Sequence, residues 1–117
     1  MKSENLIADR SFAFALRIIE VYKLLAAERE YVLSKQLLRS GTSTGANIAE
    51  ANAAVSKREF AAKMAISFKE ARETRYWLKL IAKGGLTQHD LRAEIQGVEQ
   101  LLNMLTAIVK TTQASLG

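Results

Sequence analysis

Apolar residues recur along the chain at alternating three- and four-residue steps, the signature of helices that each bury one face. Between about residues 4 and 27 the stripe is Ile7, Phe14, Ile18, Val21 and Leu25. A second segment, 31–53, carries Leu33, Leu37 and Ile48 on one face. Ser56 followed three positions later by Glu59 is a capping-box pattern, and it opens a third segment at residue 57. Gly84-Gly85 closes that segment after Lys83. Thr87 and Asp90 repeat the capping-box spacing, and Leu91, Ile95, Val98, Leu102, Leu105 and Val109 keep a heptad seam through 88–112. No alternating strand pattern competes. Four helices (4–27, 31–53, 57–83 and 88–112) with short connections predict one all-α domain over 1–117, an antiparallel up-down-up-down four-helix bundle.

Composition sharpens this picture by what is missing. There is no proline, which suits long uninterrupted helices, and no cysteine, which removes disulfides, thiolate metal sites and cysteine nucleophiles together. No apolar run approaches the ~20 residues of a membrane span. The first residues, Met1 to Asn5, do not resemble a secretory signal, so a cytoplasmic protein with no membrane association is expected.

The second segment departs from good helix chemistry. Six residues drawn from Ser, Thr and Gly fill positions 40–45, at a propensity cost of about 3 kcal/mol relative to alanine. Gln36, Ser40, Ser43, Asn47 and Glu50 fall at 4-3-4-3 spacing and form one polar stripe. Gly41 and Gly45 make a smooth strip beside it, where a helix backbone can approach closely. Close packing inside the bundle and a subunit interface both account for such a pattern.

The net charge of +5 is localised. Residues 56–83 hold eight basic and three acidic side chains, while the first thirty residues are balanced. On a helical wheel Lys57, Arg58, Lys69, Arg72, Arg75, Lys79 and Lys83 share about a third of the circumference, with Tyr76 in the same arc and only Lys63 elsewhere. Ile66, Trp77 and Leu80 form a second apolar strip on this helix. A basic arc with an aromatic ring suits phosphate-backbone binding, although solvated helices also carry charged faces.

Other motifs carry less. Gly41-Thr42-Ser43-Thr44-Gly45 matches the G-x-S-x-G pattern of serine hydrolases, but no strand precedes it and the single histidine, His89, lies at the start of the fourth segment. Glu50, Glu70 and Glu73 lack the Glu-x-x-His pairs of carboxylate-bridged metal sites. Glu70 and Glu73 are expected to pair with Arg39, Arg72 or the polar stripe. No cofactor, metal site or catalytic residue is expected.

Two stretches are specific: Gln36-Leu37-Leu38-Arg39-Ser40-Gly41-Thr42-Ser43-Thr44-Gly45-Ala46-Asn47-Ile48-Ala49-Glu50-Ala51 and Lys69-Glu70-Ala71-Arg72-Glu73-Thr74-Arg75-Tyr76-Trp77-Leu78. Together they resemble the bacterial four-helix-bundle family named after proteins encoded in intervening sequences of 23S ribosomal RNA genes. The accessory variability determinant of diversity-generating retroelements is similar to that family. The resemblance implies a homo-oligomer, specifically a homopentamer. For the retroelement relatives it implies binding of nucleic acid and of a reverse transcriptase. Most members have no established function, and the name reflects gene location. Some members follow Asn-Ile-Ala-Glu with Gly and a basic residue, whereas here Glu50 precedes Ala51-Asn52-Ala53, which points to a different branch.

The leading expectation is a non-enzymatic, homo-oligomeric bundle that binds RNA or DNA through Lys69, Arg72, Arg75, Tyr76, Lys79 and Lys83. Gln36, Ser40, Gly41, Ser43, Gly45, Asn47, Glu50 and Trp77 are expected at an oligomer or helix-packing interface. The alternative is a protein-interaction scaffold that docks a partner enzyme and has no direct nucleic-acid role.

Overall fold

The computed structural model describes residues 3–116, which fold into four helices: α1 (Ser3–Ala27), α2 (Val32–Asn52), α3 (Lys57–Lys83) and α4 (Arg92–Leu116). The described residues include no strand. The stripe Ile7, Phe14, Ile18, Val21 and Leu25 is buried along α1, and Leu37, Ile48, Met64, Leu78, Ile81, Val98 and Leu105 complete a continuous core. None of the helices is long and apolar enough to cross a membrane.

Side-chain pairings fix the direction of each helix. Gly41 lies against Ile18 and Gly45 against Ser11, so α1 and α2 run oppositely. Arg39 meets Glu70 and Glu73 while Glu50 meets Lys63, which makes α2 and α3 antiparallel. Arg10 lies by Met104, Phe14 by Gly97 and Arg17 by Glu94, so α4 is antiparallel to α1. The helices form a ring in the order α1-α2-α3-α4. Neighbours pack together and diagonal pairs stay apart, with α1 and α4 touching least.

The helix ends follow local chemistry. α3 stops in a hydrogen-bonded reversal in which Leu86 N–H donates to Ile81 O and Gly85 N–H to Ala82 O, with Gly85 at φ +68°. α1 ends in the same motif, with Glu30 N–H on Leu25 O and Arg29 N–H on Ala26 O. There the left-handed residue is Arg29, at φ 65°, so a Cβ sits where glycine is the usual choice. Ser56 caps α3 by accepting from Glu59 N–H at 3.0 Å. The start of α4 departs from the sequence expectation: the helix begins at Arg92, not residue 88. Thr87 bonds the Glu28 carboxylate at 2.6 Å, and Asp90 takes over capping by accepting from Arg92 N–H at 3.0 Å.

Between α2 and α3 the core is polar as well as apolar. Ser40, Thr44, Ser67 and Thr74 are all fully buried. Ser67 donates to Thr44 O at 2.7 Å, Thr44 donates to Ser40 O at 2.9 Å, and Thr74 Oγ1 lies 2.9 Å from Ser40 Oγ. Small hydroxyl residues thus bring the two helices close while finding acceptors in their own or the neighbouring backbone. Ser34 is the exception: it is fully buried and its Oγ has no partner. It stands in the first turn of α2, where the carbonyl four residues back lies outside the helix. Ser34→Ala is therefore expected to raise stability by about 1 kcal/mol, since a buried unpaired hydroxyl is removed and alanine is the better helix former. A chemical denaturation midpoint below that of the parent protein would show that the hydroxyl has a partner in solution.

Candidate nucleic-acid interface

The basic arc survives folding as an outward face. Lys69, Arg72, Tyr76, Lys79 and Lys83 are exposed, and Arg75 is half-buried. Lys69 to Lys83 spans about 21 Å along the axis at helical rise. The arc faces the α4 side of α3, and Lys79 Nζ lies 3.9 Å from Glu99 on α4. Among the described residues Lys69, Arg72, Arg75 and Lys83 form no salt bridge. The Arg72 guanidinium instead lies over the Phe68 ring, 6.0 Å from its centroid, an arrangement that leaves its edge available to an anion. Tyr76 is 59% exposed and packs edge-on against Trp77, with ring centroids 5.2 Å apart.

The acids that would neutralise this face are engaged elsewhere. Arg39 on α2 grips Glu70 with two nitrogens, at 2.8 and 3.2 Å, and reaches Glu73 at 2.6 Å. Trp77 Nε1 donates to the same Glu73 oxygen at 2.9 Å. The Arg39 hydrogen bond, helped by the Trp77 one, holds the Glu73 carboxyl below the usual carboxylate range. In return the two carboxylates hold Arg39 firmly in its charged form. The third acid of the helix, Glu59, accepts from Val55 N–H at 3.4 Å, just ahead of the Ser56 cap. Arg72, which the sequence leaves open as a partner for Glu70 or Glu73, pairs with neither: Arg39 takes both, and Lys63 takes Glu50 at 2.7 Å.

Seven of the residues assigned to an oligomer or helix-packing interface divide between two faces of α2, and the eighth, Trp77, lies on α3. Gly41 is buried against α1, where an added Cβ would stand 2.8 Å from Ile18 Cγ2, and Gly45 lies beside Ser11 on the same side. Ser40 points into the α2–α3 seam. At the edge of that seam Asn47 Nδ2 donates to Ser43 O at 2.9 Å, Glu50 holds Lys63, and Trp77 is half-buried on Glu73. Gln36 is exposed. Gly41 and Ser40 thus pack within one chain, while Gln36, Ser43, Asn47, Glu50 and Trp77 border its surface. Ser43 sits in a helix interior, without the strand-to-helix turn a nucleophilic serine requires. Among the described residues no cluster of three His, Asp or Glu side chains is placed to hold a metal ion.

Two features went unread in the sequence. The buried hydroxyls Ser67 and Thr74 look there like ordinary weak helix formers. Arg10 and Arg17, within a charge-balanced segment, line a groove between α1 and α4. The spacing of Ala93 and Gly97, one turn apart on α4, is the signal that could have found it.

Comparison with known proteins places this geometry. No curated protein matches the sequence. A crystal structure from Bacteroides thetaiotaomicron, described as a protein with unknown function from the S23 ribosomal protein family, superposes with a TM-score of 0.87 at 40% identity. The match covers 93% of this chain and 99% of that one. The family model for the 23S rRNA-intervening sequence protein matches residues 3–107. With nearly the whole bundle and both of its distinctive stretches inside that match, the chain belongs to the 23S rRNA-intervening sequence protein family.

Proposed function

We propose that this protein is a non-catalytic, self-assembling helical bundle that binds RNA or DNA by its phosphates through the basic face of α3. One observation carries the reading: Lys69, Arg72, Arg75 and Lys83 share that face without a carboxylate partner among the described residues, while Arg39 draws away Glu70 and Glu73. Cations left unneutralised on one face attract a polyanion and release its counterions. Tyr76 adds a ring on which a base can stack.

Self-assembly is supported on the opposite flank. Phe12 is 67% and Leu16 52% exposed on α1. Beside them a groove of about 550 Å³ runs between α1 and α2, floored by small residues such as Thr42, Gly45, Ala46 and Ala49. A protruding aromatic ring next to a smooth apolar groove suits contact with a second copy and leaves α3 and α4 facing outward. The assembly we propose is the homopentamer that the family resemblance implies.

The test is fluorescence anisotropy with a labelled 20-nucleotide RNA across a salt series, with light scattering on the same samples. Four phosphate contacts to a single strand give a log–log slope near −3, so affinity falls roughly 50-fold between about 50 and 200 mM salt. Scattering is expected to report a multimer that takes up RNA only at low salt. A slope near zero would refute phosphate binding and favour the scaffold reading.

A further inference from the structure

The seam between α1 and α4 is the least tightly packed in the bundle, and a groove of about 420 Å³ opens along it. Its opening follows from residue size. Ala93 and Gly97 on α4 and Ala13 on α1 present almost no side chain there, and Phe14 and Leu101 form an apolar floor. An added Cβ on Gly97 would already stand 3.4 Å from the Phe14 ring. The walls are polar. Arg10 and Arg17, two helical turns and about 10 Å apart, line one side, and the Gln96 and Gln100 amides line the other.

The charges are unevenly satisfied. Arg17 holds Glu94, beside the groove, through one nitrogen at 2.9 Å, and the residues lining the groove include no acid. Arg10 forms no salt bridge among the described residues, and its single hydrogen-bond contact is a distant one to Met104 Sδ at 4.0 Å. An apolar floor, amides carrying both donors and acceptors, and a guanidinium without a counterion together match one chemistry: a flat heterocycle bearing hydrogen-bonding edges and an attached phosphate.

The groove also connects with the basic face of α3. α4 lies between them, and its two acids are both engaged, Glu94 by Arg17 and Glu99 by Lys79. Its exposed ridge carries Gln96, Gln100, Asn103 and Lys110, so a phosphodiester chain crossing α4 meets no free carboxylate.

We infer that the α1–α4 groove is a nucleotide subsite, taking one unpaired base and its phosphate from a single strand whose backbone continues over α4 onto the basic face of α3. The inference rests on the nucleic-acid reading of that face. It adds a preference that the face alone does not give, because a base held in a duplex cannot enter the groove.

The experiment compares a labelled 20-nucleotide oligouridine with a 20-base-pair RNA duplex, both at low salt. Ala93→Phe fills the groove from an exposed position without changing charge, and Arg10→Gln removes the unneutralised cation. Thermal melts confirm that each variant is folded, and Arg10→Gln alone decides if Ala93→Phe is not. Losing one stacked base and its phosphate is expected to weaken oligouridine binding roughly 5- to 100-fold, with duplex binding within about twofold of the parent. Equal losses on both probes would overturn the inference, since the groove would then act only as diffuse charge. Unchanged oligouridine binding in both variants would overturn it too. The double variant Lys69→Glu/Lys83→Glu separates the failures: if it alone loses oligouridine, the α3 reading stands without the subsite. If no variant matters, both fall.

Discussion

Gly41→Val is expected to cost about 3 kcal/mol of stability and to lower Tm by roughly 12 °C in a chain of this size. The reason is local and geometric. An added Cβ at position 41 meets Ile18 Cγ2 at 2.8 Å, Cγ1 at 3.0 Å and Cβ at 3.2 Å. Ile18 is fully buried, and a β-branched side chain has little rotamer freedom with which to retreat. Relief requires α1 and α2 to move apart, which would loosen the packing of Phe14 and Leu37 as well. Gly45, one turn on, makes the comparison. There the added Cβ stands 3.4 Å from Ser11 O and Oγ, and alanine brings a helix-propensity gain of up to ~1 kcal/mol. Gly45→Ala is expected to melt at or slightly above the parent temperature. Thermal denaturation followed by circular dichroism reads both. A Gly41→Val protein melting within two or three degrees of the parent (about 0.5 kcal/mol) would mean the two helices are not in such close contact.

Charge reversal on α3 carries the largest expected effect on binding. Lys69→Glu/Lys83→Glu is expected to lose about 100-fold in affinity for single-stranded RNA at low salt, or about 2.7 kcal/mol. Each change removes one phosphate contact and adds a repulsion at the same place. Net charge alone also shifts polyanion binding, so the informative comparison is Lys23→Glu/Lys35→Glu, which has the same total charge. Those two lysines lie on α1 and α2, off the α3–α4 side of the bundle. That variant is expected to lose no more than about threefold. Equal losses in the two proteins would show that RNA responds to overall charge and that α3 has no special standing. Lys83 also complements the C-terminal dipole of its helix, so a modest stability loss in the first variant is part of the expectation and is corrected for by melting curves.

The helices were legible because burial imposes a period. All five apolar positions read along the first segment are in the core, and α3 runs over the residues that its cap and its glycine stop indicate. The basic arc was legible for the same reason, since a wheel places side chains around an axis without knowledge of neighbours. What the sequence withheld depends on which helix lies opposite. Thr74 needs Ser40 across the α2–α3 seam before its burial makes sense, and the two are 34 positions apart. Arg10 and Gln100 line one groove only because the first and last helices are adjacent in the ring. The start of α4 was misplaced because Thr87, a good capping residue by type, is committed to Glu28 from the end of α1. The two glycines of α2 left packing partner and subunit contact equally open, and only the position of Ile18 decides for Gly41.

The link between Glu28 and Thr87 has a mechanical consequence. α1 and α4 are the one neighbouring pair in the ring that no turn connects, so their seam is where the bundle closes on itself. At one end Glu28 fastens them, accepting from the Thr87 hydroxyl and the Gln88 N–H just before α4. Farther along the seam Arg17 bridges to Glu94 at 2.9 Å, and toward Met104 the polar contact among the described residues is one long approach of the Arg10 guanidinium to sulfur. The polar fastening of the seam therefore weakens from the Glu28 end toward the Arg10 end. Widening the groove leaves the hydrogen bonds within each helix intact but parts the Arg17–Glu94 bridge, so that ion pair is the side-chain link that resists a bulkier guest.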